Sequence, residues 1–428
     1  MNLQEQTNRI KQMMGLLTEE ETKQITSILS FVGSLFKQTN AMSIGRISGN
    51  DTIREYIKTF NNTKVREGQK ITNTAVHTRE LLKWVEEKLN KDIVSAKMVK
   101  SMAKRPIVFA LANPDPEILQ IFKQEGTCFE VASIAEIDAM VKLDVDMETV
   151  FYSNPIKSPV SIAHAARAGM LWYSVDTPEE VTKIAAIKPD AKLYLRIEVS
   201  NEGSNWPLAG KFGASPSGVE MIIETAKRLN MQICGVTFHV GSQCGNISNW
   251  VEGIKAAKAL FAKLSDHGFA PELLNLGGGY PLQFSGDEPS IEEIGAEINK
   301  ALESIPEQIQ VMAEPGRFLV GSAGCLLTQV VGVATRDDVR WVYLDTGFYG
   351  GLLEITGDFP VNLISERTGE PGTWTMAGPT CDSIDVMGRH TLPDNTQAED
   401  FIYMPNLGAY CTTCACDFNG FPVPILRM

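Results

Sequence analysis

Leu273-Leu274-Asn275-Leu276-Gly277-Gly278-Gly279-Tyr280 is the segment around which this sequence is organised. An apolar run that ends in three consecutive glycines is typical of a strand entering a loop whose backbone N–H groups can surround a phosphate. The same strand-then-loop pattern precedes it at Val236-Thr237-Phe238-His239-Val240-Gly241-Ser242 and follows it at Val311-Met312-Ala313-Glu314-Pro315-Gly316-Arg317. Three strand ends in successive βα units thus carry His, Gly-rich and Glu/Arg side chains, which predicts one active site on the rim of a barrel.

Strand-like apolar runs recur along the chain, with helical patterns between them. Eight such runs lie at 106–111, 127–131, 149–152, 171–175, 193–198, 234–239, 272–276 and 309–313. Eight strands alternating with helices predict an α/β protein with a (β/α)8 TIM barrel, placed here at 94–325. From 326 to 428, short β-branched and aromatic runs broken by Gly, Pro and Asp predict an all-β domain. Residues 1–93 show helical spacing and no recognisable chemistry.

Composition and charge exclude some classes of function. A formal net charge of −13 argues against nucleic acid or an anionic membrane as the main partner and suits a cationic substrate. Eight scattered cysteines predict reduced thiols in the cytoplasm. The sequence contains no long, charge-free apolar run, so no membrane-spanning helix is predicted. Cys411-Thr412-Thr413-Cys414-Ala415-Cys416 supplies only half of a metal site, since no second Cys/His pair lies at matching spacing, so no metal is predicted.

The strand-end residues match the needs of a phosphorylated pyridine cofactor. Its phosphate requires backbone N–H groups and a cation, and its ring nitrogen becomes a better electron sink when a carboxylate keeps it protonated. Glu314 is the candidate carboxylate, and His239 could stack on the ring face. The phosphate-binding candidates are Ser242, Gly277, Gly278, Gly279, Gly316 and Arg317.

The second predicted domain contributes a thiol and acids. Cys381 and Asp382 lie in the loop Gly378-Pro379-Thr380-Cys381-Asp382-Ser383-Ile384-Asp385, where they could pair a proton donor with an anion for the cationic end of a substrate. Asp345 is a second candidate anion. The alternative for either Asp is a turn cap.

Residues from about 112 to 428 resemble the pyridoxal-phosphate-dependent decarboxylases of basic amino acids with the alanine-racemase fold, most closely the bacterial ornithine and ornithine/lysine decarboxylases. The motifs that carry the resemblance are Phe129-Glu130-Val131-Ala132-Ser133, Lys211-Phe212-Gly213, His239-Val240-Gly241-Ser242-Gln243, Gly277–Gly279, Glu314-Pro315-Gly316-Arg317, Gly378-Pro379-Thr380-Cys381-Asp382, Gly408-Ala409-Tyr410 and Phe418-Asn419-Gly420-Phe421.

The resemblance implies a role for each candidate. His239 would stack on the pyridine ring, Glu314 would hold its nitrogen, and Cys381 would protonate the carbon left after CO₂ departs. The implied phosphate ligands are Ser242, Gly279, Gly316, Arg317 and Tyr410, and the implied ligands of the distal substrate ammonium are Asp345 and Asp382. Asp382 directly after the cysteine resembles the ornithine-type enzymes. The family also implies a homodimer with shared active sites.

The chain departs from the family at the lysine that anchors the cofactor. The family motif has the form Tyr-Ala-x-Lys-Ala-Asn-Pro, but this chain reads Val108-Phe109-Ala110-Leu111-Ala112-Asn113-Pro114. Depending on the alignment, the lysine position holds Leu111 or Ala112, and neither can bond to the cofactor aldehyde. Residues 94–118 resemble a stretch of bacterial malic enzymes, which leads to the hypothesis that the chain is a junction of two unrelated sequences.

Two functions follow. The first is decarboxylation of ornithine or lysine to a diamine, a step of polyamine biosynthesis. The alternative is a catalytically impaired homologue that acts by binding or dimerisation, because the anchoring lysine is missing. A racemase on the same fold is disfavoured by the Cys381-Asp382 loop.

Overall fold

Short parallel strands, each followed by a helix, make up the first part of the described chain. The computed structural model describes residues 116–357 and 359–425. The described chain divides into two compact units. The barrel unit consists of 116–282 and Glu288–Gly321, and the β unit consists of Gln283–Asp287 and 322–425. The boundaries predicted at residues 93/94 and 325/326 stay predictions.

Several sequence predictions lie outside the described residues. They concern the N-terminal segment 1–93, the first strand at 106–111, both anchor positions, Leu111 and Ala112, and the stretch 94–118 as far as residue 115.

The barrel unit alternates strands and helices. Its strands are β1 Phe129–Val131, β2 Val150–Tyr152, β3 Trp172–Val175, β4 Lys192–Arg196, β5 Ser204–Trp206, β6 Gln232–Thr237, β7 Ser242–Cys244, β8 Leu273–Asn275 and β9 Gln310–Met312. Its helices are α1 Pro116–Gln124, α2 Ile134–Lys142, α3 Pro159–Arg167, α4 Pro178–Ala185, α5 Pro216–Arg228, α6 Ser248–Asp266, α7 Ile291–Leu302 and α8 Gly316–Val320, with 3₁₀ turns at Met147–Thr149 and Gly321–Ala323.

Seven strands form one parallel sheet in the order β1-β2-β3-β4-β6-β8-β9. They coincide with the seven predicted runs that fall in the described residues, so the predicted α/β alternation is confirmed there. Strands β5 and β7 pair with each other as a separate antiparallel ribbon.

The sheet is curled, as a barrel requires. Strands β1 and β9 are its two edges, six strand spacings apart, which would separate them by roughly 29 Å in a flat sheet. Yet Glu130 on β1 and Glu314 just after β9 have side chains that hydrogen-bond each other. The two edges of the described sheet therefore approach one another.

Helix starts in this unit are fixed by capping side chains. Ser133, Ser158, Thr177, Ser215 and Ser290 each accept a hydrogen bond from the backbone N–H three residues further on. Each such cap stabilises its helix by about 1 kcal/mol. Among the strands that carry candidate residues, β8 is followed by a capped helix, α7, whereas α6 and α8, which follow β6 and β9, begin without a side-chain cap.

Inward-facing side chains fill the curled sheet. Phe151, Tyr194, Leu273 and Met312, from β2, β4, β8 and β9, form one buried cluster. Strands β1, β2 and β8 are buried along their whole length. This explains why they read as continuous apolar runs rather than as an alternating pattern.

The β unit is built on one six-stranded sheet in the order β12-β15-β10-β11-β13-β14. Its strands are β10 Leu326–Arg336, β11 Val339–Leu344, β12 Ile364–Ser365, β13 Pro371–Ala377, β14 Val386–Pro393 and β15 Phe401–Met404, with helix α9 Cys411–Cys414 and 3₁₀ turns at Phe348–Gly350, Leu353–Gly357 and Phe418–Gly420. The long strand β10 pairs β15 through its first half and β11 through its second. The predicted all-β region after residue 325 is confirmed.

Candidate active site

The three strand ends singled out in the sequence are neighbours in the barrel sheet. Strands β6, β8 and β9 lie side by side, and backbone hydrogen bonds continue beyond their ends. The Leu276 N–H donates to the carbonyl of Met312 at 2.8 Å, and the Glu314 N–H donates to the carbonyl of Gly277 at 2.8 Å. The loops that follow these strands are therefore held together by their own backbone.

The glycine run makes a close approach that no other residue allows. Gly277 and Gly279 have φ angles of 63° and 96°. A Cβ on Gly277 would lie 2.0 Å from the carbonyl oxygen of Phe238. A Cβ on Gly278 would lie 2.6 Å from the carbonyl oxygen of Glu314 and 3.0 Å from Nε2 of His239. Bare backbone thus lies directly against two of the predicted cofactor-binding residues.

His239 presents a neutral, half-buried ring. Its Nδ1 accepts a hydrogen bond from the Gly241 N–H at 3.0 Å, which leaves the ring proton on Nε2. Burial of the ring, with the nearby guanidinium of Arg196 as a second cause, lowers the pKa of His239 to about 3. Asn201 fixes the backbone of His239 by donating to its carbonyl at 3.0 Å. An uncharged flat ring with a fixed backbone is suited to stacking on an aromatic ligand.

Glu314 is oriented by an asparagine from the glycine-run strand. The side-chain amide of Asn275 donates a short hydrogen bond to Oε1 of Glu314. Asn275 Oδ1 in turn accepts from the Gly277 N–H at 2.9 Å. This second bond decides which end of the Asn275 amide faces Glu314, so a backbone group of the glycine run sets the position of the acid.

Glu130 is the second acid of this cluster. Its side chain is buried and hydrogen-bonded to Glu314, and burial together with that neighbouring charge raises the pKa of Glu130 well above its ordinary value. Ser153, whose hydroxyl lies 2.8 Å from the Tyr194 hydroxyl, opposes the shift through a hydrogen bond. From the sequence, Glu130 is identified only as part of the Phe129-Glu130-Val131-Ala132-Ser133 motif.

Arg196, at the end of β4, balances these acids. It lies within electrostatic range of Glu314, Asp176 and Glu130, and burial lowers its pKa. Its guanidinium lies 5.4 Å from the ring centre of Phe212. Asp176 accepts from the Gly213 N–H at 2.9 Å, which brings the Lys211-Phe212-Gly213 motif to this end of the barrel unit.

Arg317 and Ser242 provide the cation and hydroxyl predicted for a phosphate. Arg317 is 6% exposed, and its Nε donates to the Ser242 hydroxyl at 3.2 Å. Gly279 lies beside them in the loop network, since its carbonyl accepts from the Cys244 N–H at 2.8 Å. The structure thus brings together the barrel-unit candidates, namely His239, Ser242, Gly277, Gly278, Gly279, Glu314, Gly316 and Arg317.

The β unit organises its own candidates around Asp385. That carboxylate accepts from the backbone N–H of Phe348 at 2.8 Å and from the hydroxyl of Thr380 at 2.7 Å. It therefore ties the turn after β11 to the loop that carries Cys381, whose thiol side chain is exposed. The Cys381 N–H donates to Asn419 Oδ1 at 3.3 Å.

Asp382 is paired with a tyrosine that the sequence analysis did not select. The Tyr349 hydroxyl donates to Asp382 Oδ2 at 2.5 Å, and the Ile384 N–H donates to Oδ1 at 3.1 Å. These bonds hold the pKa of Asp382 below its usual range, and Asp382 raises the pKa of Tyr349 to about 12. Tyr349 also stacks on Phe418, with ring centres 4.0 Å apart.

The other two β-unit candidates have different surroundings. Asp345 Oδ1 accepts from the hydroxyl of Thr328 and from the Gln329 N–H at 3.0 Å, so that oxygen is directed to β10. Tyr410 has a φ of 66° and precedes α9. Their predicted binding roles stay predictions.

Some of the missed residues carry a sequence signal. Glu130, Arg196 and Asn275 are polar side chains within otherwise apolar strand runs, where only a paired group is tolerated. Tyr349 and Asp385 lie in loops with no such contrast, so their contacts are visible only in the structure.

Three further observations bound the chemistry. Among residues 116–357 and 359–425 there is no group of three or more His, Cys, Asp or Glu arranged to hold a metal. None of the eight cysteines forms a disulfide. The described helices include none with the length and apolarity needed to cross a bilayer.

Comparison with known proteins defines the family. A family model described as pyridoxal-dependent decarboxylase, pyridoxal binding domain, matches residues 89–321, and a model of a family of unknown function (DUF6267) matches residues 2–115. The lysine/ornithine decarboxylase of Selenomonas ruminantium is 31% identical over 329 residues, which cover 76% of this chain and 83% of that protein. Antizyme inhibitor 2 of Xenopus laevis is 30% identical over 340 residues, which cover 74% of each protein.

A solved structure agrees with the sequence matches. The lysine/ornithine decarboxylase of Vibrio vulnificus complexed with cadaverine superposes with a TM-score of 0.68 at 29% identity, over 80% of this chain and 97% of that chain. Fold and site together define a TIM-barrel protein of the alanine-racemase fold followed by a β domain. The chain belongs to the pyridoxal-dependent decarboxylases of basic amino acids, and the resemblance seen in the sequence is confirmed.

Proposed function

We propose that this chain binds pyridoxal 5'-phosphate in its barrel unit and acts in the cytoplasm on ornithine or lysine, releasing CO₂ and a diamine. The observation that carries the proposal is the convergence of a neutral ring, an oriented carboxylate and a cation–hydroxyl pair, His239, Glu314 and Arg317–Ser242, at three neighbouring strand ends. The glycine run, where any Cβ would collide with backbone, fits a flat ligand lying close to the chain.

The chain's own groups then have distinct tasks. His239 stacks on the ring and Glu314 accepts a hydrogen bond from the protonated ring nitrogen. The phosphate is bound by Ser242, Gly277, Gly278, Gly279, Gly316, Arg317 and Tyr410. When bound, the cofactor supplies an electron sink for the electron pair released as CO₂ leaves.

Substrate recognition is assigned to the β unit. Asp382 and Asp345 bind the distal ammonium of the amino acid, and the Cys381 thiol gives a proton to the carbon that has lost CO₂. Asp382 supports this role because its carboxylate is ionised at neutral pH and the Tyr349 hydroxyl orients it while holding its pKa below the usual range. A net charge of −13 also favours a cationic substrate.

The assembly proposed is a homodimer with shared active sites. An exposed Cys381 thiol, with exposed apolar side chains Ile384, Phe418 and Phe421 on the same and adjoining loops, supports a second copy covering this surface. Eight cysteines without a disulfide support a reducing compartment.

Activity is tested directly. The purified protein is incubated with pyridoxal phosphate and either ornithine or lysine, and released CO₂ and diamine are measured together. Production of putrescine or cadaverine above the protein-free rate supports the proposal. If the protein binds pyridoxal phosphate but forms no diamine, the proposed decarboxylase activity is contradicted and only the proposed cofactor binding remains.

The missing anchor gives a gain-of-function test. Leu111→Lys and Ala112→Lys each restore an amine at one of the two possible alignments. We expect one of them to raise diamine production, because an anchored aldehyde exchanges readily with the substrate amine. Borohydride reduction and peptide mapping provide the control: pyridoxyl-lysine in the wild type would show that another lysine is the anchor.

A second candidate function has its own support. The relative named antizyme inhibitor 2 matches the chain about as well as the named decarboxylases do, and the anchor positions hold Leu111 or Ala112. A binding protein that works as a dimer partner is therefore the alternative. Failure of both lysine variants to produce diamine, with normal cofactor binding, would favour it.

A further inference from the structure

Glu130 is a buried acid without an assigned role. It lies on β1 with a side chain only 4% exposed. Its carboxyl group hydrogen-bonds Glu314, the acid proposed above to meet the ring nitrogen. Within the described part of the chain, no N–H or O–H donor reaches Glu130 Oε2.

Two carboxyl groups hydrogen-bond each other only when one of them carries a proton, because an ionised carboxylate has no hydrogen to donate. Glu314 already accepts from Asn275, which stabilises its negative charge. Glu130 is buried, with only 4% of its surface exposed, whereas Glu314 is half-buried. Burial is also the largest cause that raises the pKa of Glu130, followed by the charge of Glu314. The shared proton therefore belongs to Glu130.

Three other ionisable groups lie around Glu130, namely Glu136, Tyr194 and Arg196. Glu136 on α2 raises the pKa of Glu130 further. Tyr194 on β4 stays neutral, because burial, the largest cause, and the charge of Glu314 raise its pKa. Of these neighbours, only Arg196 is a cation, and its charge also faces Glu314 and Asp176.

We propose that Glu130 is a positioning residue that keeps its proton and points it at Glu314 in an O–H···O hydrogen bond, so that Glu314 stays ionised and oriented toward the protonated ring nitrogen of pyridoxal phosphate. The inference rests on the proposed function, since it deepens the description of the same site. One negative charge then faces one positive charge. If both acids were ionised, their repulsion would turn Glu314 away from the ring.

The ligand test uses two probes. One is pyridoxal phosphate, and the other is its analogue in which carbon replaces the ring nitrogen. Glu130→Ala removes the proton donor, so we expect the dissociation constant for pyridoxal phosphate to rise about tenfold and that for the analogue to change less than about twofold. Glu130→Gln keeps an N–H donor and should bind both probes as the wild type does. Glu148→Gln, an exposed acid-to-amide change, is the matched control.

A second readout needs no ligand. Folding raises the pKa of Glu130 above its ordinary value of 4.5, so the stability it contributes is full below that pH and is lost as the pH rises toward the folded pKa. The amide of Glu130→Gln cannot ionise. In an assay at pH 5 and pH 8, the melting temperature of this variant should therefore decline less with rising pH than that of the wild type.

The outcomes separate the two claims. Equal weakening of both probes by Glu130→Ala, or equal losses in Glu130→Ala and Glu130→Gln, would overturn the positioning role. An unchanged pH dependence of melting in Glu130→Gln would overturn the protonated state. If the wild type bound neither probe but the melting difference appeared, the proton on Glu130 would stand and the proposed cofactor site would fail.

Discussion

The barrel unit and the β unit hold their candidate residues in opposite ways. In the barrel unit the candidates are buried or half-buried, and backbone groups of the next strand fix them, as Gly277 does for Asn275 and Glu314. In the β unit the thiol of Cys381 is exposed, and Asp382 is held by the hydroxyl of Tyr349.

This difference suggests that the barrel unit serves cofactor binding and the β unit serves the reaction of the substrate. A site whose side chains are fixed by backbone hydrogen bonds is preorganised, so the free-energy cost of reorganising it is small when a rigid ligand binds. Exposed side chains on loops adapt to a flexible substrate and are completed by whatever covers them. Barrel-unit variants should therefore change cofactor affinity, and β-unit variants should change the reaction of the substrate.

Loss of the thiol should give the largest effect. In whichever of the wild type and the lysine variants forms diamine, Cys381→Ala should lower the diamine formed per CO₂ released by about a hundredfold or more, because the proton donor is gone. Pyridoxal phosphate affinity should stay within about twofold of its starting value.

Cys325→Ala, which removes a thiol that is hydrogen-bonded to Tyr403 elsewhere in the β unit, is the control. Normal diamine yield in Cys381→Ala would mean that the proton comes from another group, and the division between the two units would lose its catalytic half.

A methyl group on the glycine run tests the barrel unit. Gly278→Ala places a Cβ 2.6 Å from the Glu314 carbonyl oxygen. We expect cofactor affinity to fall roughly a hundredfold, since a displacement of about 1 Å at a preorganised site has effects of that size. Isothermal titration with pyridoxal phosphate measures it, and circular dichroism verifies the fold.

Gly295→Ala provides the comparison within the same unit. Gly295 lies in α7, where an added Cβ meets nothing within 4 Å, so the change should stabilise the helix by up to about 1 kcal/mol and leave affinity unaltered. Similar losses in both variants would indicate a general effect of glycine replacement.

The sequence predicted the barrel unit better than the β unit, for a physical reason. In parallel strands, apolar runs and the residues directly after them report burial and position at once, so His239, Glu314 and Arg317 could be grouped from spacing alone. The Glu130–Glu314 contact joins the two edges of the sheet and depends on its curl, which no local pattern encodes. The Tyr349–Asp382 bond joins two loops whose bonded residues are 33 positions apart in the chain, and the Asp385–Thr380 bond depends on how a single irregular loop folds back on itself.

The smallest of these effects concerns the Tyr349–Asp382 bond. Tyr349→Phe removes the hydroxyl that lowers the pKa of Asp382, so that pKa should rise toward its ordinary value of 3.8. An acid with a lowered pKa stays ionised to lower pH, and the variant should therefore protonate Asp382 at higher pH than the wild type. Near neutral pH the carboxylate remains charged but is less firmly oriented, so KM for the diamino acid should rise by less than about tenfold while cofactor affinity is unchanged.

Carboxyl NMR titration of Asp382 and steady-state kinetics measure the two parts of this prediction separately. Tyr343→Phe removes a hydroxyl from β11 that is bonded to Arg336 instead, and it should alter neither quantity. If Tyr349→Phe shifted the Asp382 titration without changing KM, the hydrogen bond would be real but Asp382 would not bind the substrate ammonium. The β unit would then hold its thiol and its acid for different purposes, whereas the candidates of the barrel unit would still share the one proposed role of cofactor binding.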